Sequence, residues 1–503
     1  MNLIRFSPLI VISIILFLNP TLLAQHYVIP LPLKYACGEG YFYLQENLDI
    51  EGWDSMQYFV LKKIESYTGI ELKAGPSGKK IIFKDTVDNH PEAYYVNVSK
   101  DSIAIAATSH RGRLYALYTL LMLYDSTSRA FQSCVIYDKP AYPYRALHLD
   151  VARHFFDIST LKKIVMILPA VKINTLHLHL TDDQGWRVEI KKYPLLTQIG
   201  AWRKEKNGEK YGGYYTQQEL KELVAFAQLH GVEIIPEIDV PGHFSAAIAS
   251  YPFLCCREGN TKNIEVPSTW GIKPNLLCPT DTAISFLNNL LDELSEIFPS
   301  GFVHIGGDEA PKRQWRKSKV LKHIMKEKNI KNFRELHTYL INELQRKLVQ
   351  KNKTAIVWAE AARSGVSKQV VAMSWLGRRY GRRAAANGHH VIMAPRFYCY
   401  FDYPQSIKDK WHRIWMTFTP LRKVYRFRPA QPNCNSNVKQ KIIGGEAMLW
   451  TEFIKSEKQL FHQLFPRIYA LSEALWAEKK DYKDFKRRLK CSGLYQQMSS
   501  LNK

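Results

Sequence analysis

The stretch Gly301-Phe-Val-His-Ile-Gly-Gly-Asp-Glu309 is a short, mainly apolar run that stops at two glycines and delivers two adjacent carboxylates. Residues 302–305 predict a buried strand, since a brief run bounded by glycine suits a strand covered on both faces. The glycines permit a tight exit from that strand or the close approach of a ligand. Asp308 and Glu309 therefore either line a polar cleft or are solvated acids in an exposed turn.

Strand-like segments that end in polar residues recur eight times after residue 144. They are residues 145–153, 175–182, 232–239, 302–308, 355–360, 370–375, 391–402 and 442–452. Helical patterns at 159–171, 217–230, 283–298 and 332–351 separate most of them. This alternation predicts an α/β fold, a (β/α)8 TIM barrel with its active site at the carboxyl ends of the strands. Because the link 360–370 is too short for a full helix, we expect an irregular barrel there.

The residues before the barrel predict a small α/β domain. Strand signals at 80–84, 93–98 and 102–106 precede a helical pattern at 111–124. Two prolines in Asp138-Lys-Pro-Ala-Tyr-Pro-Tyr144 mark a boundary. We therefore divide the chain into a signal peptide (1–24), an amino-terminal α/β domain without catalytic residues (25–139) and a barrel domain with a carboxyl-terminal helix (140–503).

The first 24 residues have the pattern of a secretory signal peptide. Arg5 precedes an apolar run at 9–18 that is too short to span a bilayer comfortably, and Ala24 offers a small residue for cleavage. No later apolar run has the roughly 20 residues of a spanning helix. We expect an exported protein, periplasmic or secreted, without a membrane span. Cys256 and Cys278 bracket one loop and are the candidate disulfide, with most other cysteines expected to be free buried thiols.

The formal net charge is +24. Nucleic-acid binding would explain such a charge, but the basic residues are dispersed over segments such as 312–331 and 378–383, without a recognised nucleic-acid-binding module. The composition therefore favours a solvated basic surface that suits anionic surroundings, such as acidic glycans or lipopolysaccharide, and no nucleic-acid partner.

Five segments resemble, in order, the signature blocks of glycoside hydrolase family 20, the β-N-acetylhexosaminidases. They are Leu149-Asp-Val-Ala-Arg-His-Phe-Phe156, Leu176-His-Leu-His-Leu-Thr-Asp-Asp-Gln-Gly-Trp186, Ile235-Pro-Glu-Ile-Asp-Val-Pro-Gly-His243, His304-Ile-Gly-Gly-Asp-Glu309 and Leu449-Trp-Thr-Glu452. The resemblance covers about residues 26–490, and five ordered blocks are far more specific than one motif. It implies an exo-acting enzyme that removes terminal β-linked GlcNAc or GalNAc from glycans, without a cofactor or a metal.

The resemblance also gives the two adjacent acids different tasks. Glycosidases normally divide acid and nucleophile between two carboxylates that flank the bond. That division is awkward here, because consecutive strand residues point to opposite sides unless the backbone turns. In the family the substrate's own 2-acetamido carbonyl attacks the anomeric carbon, and an oxazolinium intermediate is opened by water with retention. Glu309 would be the general acid and then the base, while Asp308 would hold the acetamido N–H and balance positive charge.

Three further polar positions match family residues. Arg153 matches the arginine that donates to the 3- and 4-hydroxyls of the terminal sugar; an ion pair at the barrel mouth is the alternative. Asp182 and His243 match a pair that orients the general acid, whereas a histidine bonded to a backbone carbonyl would be purely structural.

Aromatic positions match as well. Trp358, Trp375 and Trp450 correspond to a pocket around the acetamido methyl and the sugar face, although tryptophans are more often core residues. Tyr400 matches a tyrosine that donates to the acetamido carbonyl, and it keeps the family's spacing to the next acid, which Tyr398 does not.

The remaining matches concern the far end of the sugar. Asp402 matches an acid near the 6-hydroxyl, Glu452 matches the carboxylate that reads the 4- and 6-hydroxyls, and Trp415 is a weaker match for a tryptophan that lines the sugar. The chain departs from many bacterial members after the fifth strand, where Ala359 and then Glu360 follow the tryptophan. The basic run 378–383 beside Trp375 is either a solvated loop or a feature that favours substrates bearing sulfate or carboxylate.

Two other functions compete with this one. A metal-dependent barrel hydrolase would use His177, His179, Asp182, Asp183, His243 and His304, since histidine with carboxylate suits zinc. Against it, His177 and His179 precede the strand end and are expected to point into the barrel. A carbohydrate-binding protein without catalysis is the second alternative, but the positions needed for turnover are present. The sequence leaves GlcNAc and GalNAc equally open.

Overall fold

The computed structural model describes residues 27–52, 54–75, 78–86, 88–256, 264–363, 365–409 and 417–492. The predicted signal peptide (1–24) and Trp415 lie outside the described residues. No helix within these ranges is long and apolar enough to cross a membrane.

Eight parallel strands close into a barrel in which each strand pairs with the next and the last with the first. Barrel strands 1 to 8 are Tyr144–Asp150, Thr175–His179, Glu233–Val240, Phe302–Gly306, Thr354–Trp358, Val371–Ser374, Val391–Met393 and Ile442–Leu449. Every one of the eight predicted segments overlaps one of these strands, and the predicted TIM barrel is confirmed. Most predicted segments extended beyond the carboxyl end of the observed strand because they included the polar residues that follow it.

The four predicted helices are also present, as Ile158–Ile167 with a 3-10 turn at Leu168–Val171, Gln217–Leu229, Asp281–Ile297 and Phe333–Gln350. Each begins after a side chain that accepts a backbone N–H of its first turn, from Asp157, Thr216, Thr280 and Asn332 respectively. The described residues between barrel strands 5 and 6 form no helix, as predicted.

Shorter elements complete the barrel domain. Its other helices are Leu195–Gln198, Ser245–Ser250, the 3-10 turn Pro252–Leu254, Arg313–Lys317, Lys319–Glu327, Arg378–Ala386, Arg396–Cys399, Leu421–Tyr425, Ser436–Lys441, Glu457–Leu464, Arg467–Trp476 and Tyr482–Cys491. Two small hairpins pair Thr181–Asp182 with Gly185–Trp186 and Trp202–Lys204 with Lys210–Gly212.

The interior of the barrel contains a buried network of histidine and glutamate. Glu237 accepts from His179 Nδ1 at 2.5 Å and lies 2.8 Å from His304 Nδ1, while His177 Nδ1 lies 2.7 Å from Glu446. Burial alone would raise the pKa of Glu237, but the charges of the histidines hold that pKa well below its usual range. Although burial disfavours their charged forms, the glutamates raise the pKa of His177 to about 9 and that of His179 to about 10. Both histidines therefore face the barrel interior, as predicted.

The amino-terminal domain is a mixed sheet with two helices. The spatial order of its strands is Lys34–Tyr43, Ala130–Asp138, Tyr94–Val98, Ser102–Ala107, Lys80–Asp85, Asn47–Glu51 and Lys73–Ala74, and Tyr124–Asp125 pairs with Ala130–Asp138. Its helices are Asp54–Thr68 and His110–Met122. The three predicted strands and the second helix are confirmed. Strand Lys34–Tyr43 was not predicted, because it is mostly exposed and lacks apolar alternation.

Buried ion pairs join the small domain to the barrel. Arg145, in barrel strand 1, lies 2.7 Å from Glu92 of the small domain. Lys172 Nζ, after the first barrel helix, lies 2.8 Å from Asp138 at the end of a small-domain strand. Trp476 Nε1 donates to the other oxygen of Asp138 at 2.8 Å. Lys172 and Asp138 are both fully buried, so each relies on the other for its charge to be balanced.

The Lys172→Met substitution should therefore destabilise the protein. It keeps most of the side-chain volume but leaves the Asp138 carboxylate buried without its cation, which costs about 3–5 kcal/mol in comparable sites. Urea denaturation followed by circular dichroism measures the change in free energy of unfolding. Lys221→Met, at an exposed position of helix Gln217–Leu229, is the matched control. Equal stability of the two variants would contradict the importance of this ion pair.

Candidate active site

A cavity of about 520 Å³ opens at the carboxyl ends of the barrel strands, where this fold places its active sites. Eleven of the twelve predicted site residues line it, namely Arg153, Asp182, His243, Asp308, Glu309, Trp358, Trp375, Tyr400, Asp402, Trp450 and Glu452. The twelfth, Trp415, lies outside the described residues, so its place stays a prediction. The cavity also contains six residues that we did not predict: Gln184, Trp270, Gly271, Ile272, Arg396 and Tyr403.

The two glycines after barrel strand 4 bring both acids to the cavity. Gly306 and Gly307 have φ angles of +67° and +99°, which residues with side chains rarely adopt. A Cβ on Gly306 would lie 1.6 Å from Asp239 Oδ1, so the backbone passes directly against that carboxyl group. Because the backbone turns here, consecutive side chains no longer point to opposite faces as they do in a strand. Asp308 and Glu309 therefore both reach the cavity but differ in burial. The Asp308 side chain is 12% exposed and that of Glu309 is 42% exposed.

His243 stands between the acids and a buried ion pair. Its Nε2 lies 3.8 Å from an oxygen of Asp308 and 3.8 Å from an oxygen of Glu309. Its Nδ1 is hydrogen-bonded to Asp182 at 3.2 Å, and the other oxygen of Asp182 lies 2.5 Å from Arg153. His243 has a φ of +53°, so the loop holds this imidazole in a backbone conformation that is unusual for a residue with a side chain. The predicted residues Arg153, Asp182 and His243 thus form one chain of contacts that reaches both acids.

Burial and neighbouring charges shift the pKa values of these groups in different directions. Burial alone would raise the pKa of Asp182, but Arg153 and His243 hold it well below its usual range. Burial alone would lower the pKa of His243, but Asp182 and Asp308 raise it well above its usual range. Burial raises the pKa of Asp308 to about 6, against the opposing charge of His243. These surroundings therefore favour the imidazolium form of His243 and the carboxylate form of Asp182, whereas the pKa of Asp308 is raised.

Aromatic side chains form one wall. The rings of Trp358 and Trp450 are 6.0 Å apart, and that of Tyr400 stacks on Trp375 at 6.3 Å and lies 6.4 Å from Trp450. Trp358 is buried, whereas Trp375 and Trp450 are partly exposed to the cavity. Such a wall offers ring faces to an apolar methyl group or to the C–H face of a sugar.

The cavity also contains ionisable groups. Burial and Glu452 raise the pKa of Asp402 well above its usual range, and burial raises that of Glu452 against the charge of Arg153. Asp308 Oδ1, Asp402 Oδ1 and Arg153 Nε have no hydrogen-bond partner among the described residues although all three atoms are buried. Because buried polar atoms are normally hydrogen-bonded, these atoms fit a ligand with several hydroxyl or amide groups.

Glu360, two residues after Trp358, lies behind this cavity. It shares a smaller pocket with Gly307 and Asp308. Burial raises the pKa of Glu360 to about 7, and the charge of Asp308 adds to the effect.

The loop that carries Trp270 and Ile272 is closed by a disulfide. Cys256 and Cys278 form that bond, with their Cα atoms 4.7 Å apart. Trp270 is 56% exposed and Ile272 is 53% exposed at the cavity rim. The loop has no periodic pattern, so the two bracketing cysteines were the only sequence signal for it.

The metal-ligand set considered from the sequence is divided between two places. His177, His179 and His304 lie in the barrel interior, bonded to glutamates, and do not line the cavity. Asp182 and His243 do line it, but they are paired with each other. Among the described residues, Asp182, Asp183 and His243 have ligand atoms within 4.8 Å of one another, whereas His177 and His304 group with Glu237 instead.

Two protein-family models match this chain, one for each of its domains. The model of "Glycosyl hydrolase family 20, catalytic domain" matches residues 142–479, and that of "Glycosyl hydrolase family 20, domain 2" matches residues 25–139. The chain belongs to glycosyl hydrolase family 20. Its barrel and its amino-terminal domain thus correspond to the two domains that family 20 models describe.

Several family 20 proteins are similar over most of this chain. The beta-hexosaminidase of Porphyromonas gingivalis is 35% identical over 437 residues, which are 84% of this chain and 56% of that protein. The beta-hexosaminidase of Akkermansia muciniphila is 34% identical over 79% of this chain and 82% of its own length. The chain spans only 64% of the Vibrio furnissii beta-hexosaminidase. Some relatives are thus considerably longer.

A solved family 20 structure superposes closely. The exo beta-N-acetylglucosaminidase of Vibrio harveyi, in complex with N-acetylglucosamine, gives a TM-score of 0.86 at 33% identity, over 95% of this chain and 78% of that one.

The close approach at Gly306 predicts that even a methyl group is harmful there. Gly306→Ala would place Cβ against the Asp239 carboxyl group at an unfavourable φ, and we expect a loss of about 2–4 kcal/mol in the free energy of unfolding. Chemical denaturation measures this loss. Gly301→Ala, where an added Cβ meets nothing within 4 Å, is the control and should change stability by no more than about 0.5 kcal/mol. Similar values for both variants would refute the predicted clash.

Proposed function

We propose that this protein is an exo-acting, retaining β-N-acetylhexosaminidase that removes terminal β-linked GlcNAc or GalNAc from glycans. The observation that carries the proposal is the turn at Gly306 and Gly307. It delivers two adjacent acids to one cavity, with Asp308 largely buried and Glu309 more open. Membership of family 20 and the names of the similar proteins support the same activity.

In this mechanism the nucleophile comes from the substrate. The 2-acetamido carbonyl attacks the anomeric carbon while Glu309 protonates the leaving oxygen, and Glu309 then takes a proton from the water that opens the oxazolinium ion. Asp308 accepts the acetamido N–H and balances the positive charge that develops on the ring. The tryptophan wall surrounds the acetamido methyl, and Tyr400 donates to the acetamido carbonyl. His243, within 3.8 Å of both acids, holds them in relation to each other.

The ionisable groups of the cavity would bind the remaining hydroxyls. Arg153, held by Asp182 and lying 4.8 Å from the Trp450 ring, would donate to the 3- and 4-hydroxyls. Asp402 and Glu452 would accept from the 6- and 4-hydroxyls. Both GlcNAc and GalNAc fit this set, since the two sugars differ only in the orientation of the 4-hydroxyl.

We also propose that the protein is exported, to the periplasm or the medium. The signal-like segment 1–24 supports this proposal, and the Cys256–Cys278 disulfide suits an oxidising compartment. A precursor that is not shortened when produced in a bacterial host with an intact secretion pathway would contradict it.

The proposed mechanism predicts how substitutions of the two acids affect activity. Glu309→Gln should reduce kcat for β-GlcNAc substrates by at least about 10³-fold, because the side chain that donates and then accepts the proton is lost. Asp308→Asn should also lose most activity, through the orientation of the acetamido group. Steady-state kinetics with circular dichroism of the folded variants measures both effects. Near-normal turnover by Glu309→Gln would refute the assignment.

A substrate panel separates this mechanism from that of ordinary glycosidases. Chromogenic β-GlcNAc and β-GalNAc should be hydrolysed, whereas the matched β-glucoside, which lacks the acetamido group, should not. A thiazoline that mimics the bicyclic intermediate should inhibit competitively. Comparable turnover of the β-glucoside would exclude substrate assistance.

A further prediction concerns pH. Because burial raises the pKa of Asp308 to about 6, the carboxylate form that the mechanism needs is lost as the pH falls through that value. The kcat/KM for β-GlcNAc should therefore fall about tenfold per pH unit below pH 6. The residual activity of Asp308→Asn should lack this midpoint. Its persistence in that variant would assign the titration to another group.

A further inference from the structure

Half of the net positive charge lies in one segment beside the cavity. Residues 376–441 contain fourteen Lys and Arg but only two Asp and Glu. The described part of this segment forms the helices Arg378–Ala386, Arg396–Cys399, Leu421–Tyr425 and Ser436–Lys441, which lie around barrel strands 6, 7 and 8. We call the described Lys and Arg side chains of this segment the basic flank.

The helices of the basic flank are in contact with one another. Arg378 lies 4.2 Å from the ring of Tyr398, so the first helix is joined to the second. Arg396 and Lys423 lie 4.9 Å and 5.4 Å from the ring of Phe397, which joins the second helix to the third. The first helix also packs against the fourth. The four helices therefore form one contiguous part of the outer wall of the barrel domain.

The described side chains of the basic flank are not paired with carboxylates. Among the described residues, no Lys or Arg of the basic flank forms an ion pair with a carboxylate, whereas basic residues elsewhere in the barrel domain, such as Lys163 and Lys347, do. Of the two acids in the segment, Asp402 lines the cavity and Asp409 is paired with His462. Unpaired like charges repel each other, and this repulsion is relieved by a bound polyanion.

Arg396 connects the basic flank to the active site. It lines the cavity, and its backbone N–H donates to Trp375 O at 2.8 Å, directly beside the proposed acetamido pocket. The other arginine of the cavity, Arg153, is bound to Asp182. Arg396 has no carboxylate partner among the described residues, and its buried Nε has no hydrogen-bond partner among them.

We propose that the basic flank binds an anionic glycan whose terminal N-acetylhexosamine occupies the cavity, with Arg396 contacting the carboxylate or sulfate of the next sugar. The proposal rests on the proposed function and defines its substrate class. The anion belongs to the sugar after the terminal one. Asp402 and Glu452 line the cavity and would bind the 4- and 6-hydroxyls of the terminal sugar, so an anionic group on those positions would meet two carboxyl groups.

Paired substrates test the preference. The first pair is β-GlcNAc joined to glucuronic acid or to glucose, and the second is β-GlcNAc joined to a sulfated or an unsulfated galactose. The kcat/KM should be about tenfold or more higher for the anionic member of at least one pair at low salt, and the ratio should fall towards one at high ionic strength. The pair that shows the preference identifies carboxylate or sulfate. Ratios near one for both pairs would overturn the proposal.

Matched variants locate the effect. A flank variant with Arg379, Arg383, Arg422 and Arg426 changed to Gln should lower the anionic-to-neutral ratio about tenfold. A control variant has Lys317, Lys322, Lys326 and Lys331, which follow barrel strand 4, changed to Gln. It removes the same amount of charge and should preserve the anionic-to-neutral ratio. All eight substituted positions are exposed. Arg396→Gln should lower the ratio about fivefold, with partial recovery in Arg396→Lys. Equal loss in the flank and control variants would show a general charge effect and overturn the proposal.

Competition identifies the kind of polyanion. A polyuronate or a sulfated glycosaminoglycan should inhibit hydrolysis of the neutral substrate at lower concentration than DNA or lipopolysaccharide vesicles of equal charge. Stronger inhibition by DNA or by the vesicles would overturn the choice of a glycan. This proposal fails separately from the proposed function. Hydrolysis of the neutral members without any preference rejects the glycan proposal alone, whereas no hydrolysis of either member rejects the enzyme.

Discussion

The carboxylate of Glu237 is fully buried in the barrel interior, and the structure depends on how its charge is balanced. Histidines from barrel strands 2 and 4 supply the balance, and Glu446 of strand 8 holds His177 from the other side. Aliphatic side chains could fill the same volume, but they would not fix the relative heights of the strands through directional bonds. The network therefore sets the level at which strands 2, 3, 4 and 8 end, and with it the height of the cavity floor.

The active site follows from those strand ends. Asp182, His243 and Asp308 come shortly after strands 2, 3 and 4, so a fixed register brings them within contact of one another. Two glycines then replace the alternation of a strand by a turn, and neighbouring acids enter different surroundings. That difference in burial is what allows Asp308 and Glu309 to take separate roles without a second carboxylate from elsewhere in the chain.

The sequence predicted best the residues whose positions are set by regular secondary structure. Every barrel strand was predicted because an apolar run ending in polar residues is a local pattern, and the cavity residues at strand ends followed from the fold. Residues on irregular loops were missed. Trp270 lies in a loop without periodicity, and Arg396 begins a four-residue helix whose position is set by packing against strand 8. The raised pKa of Asp308 was not predictable either, because it depends on burial by distant segments.

The contact between the two domains has a consequence for how the protein unfolds. Arg145 with Glu92 and Lys172 with Asp138 are ion pairs buried across the boundary. Separating the domains would leave Arg145, Lys172 and Asp138 without these partners, whereas Glu92 would keep its ion pair with Arg111. Unpaired buried charges are costly even before either domain loses its own core. The small domain and the barrel therefore form one cooperative unit, melting in a single transition, and a barrel expressed without residues 25–139 would begin with an unpaired arginine and an unpaired lysine on its exposed underside.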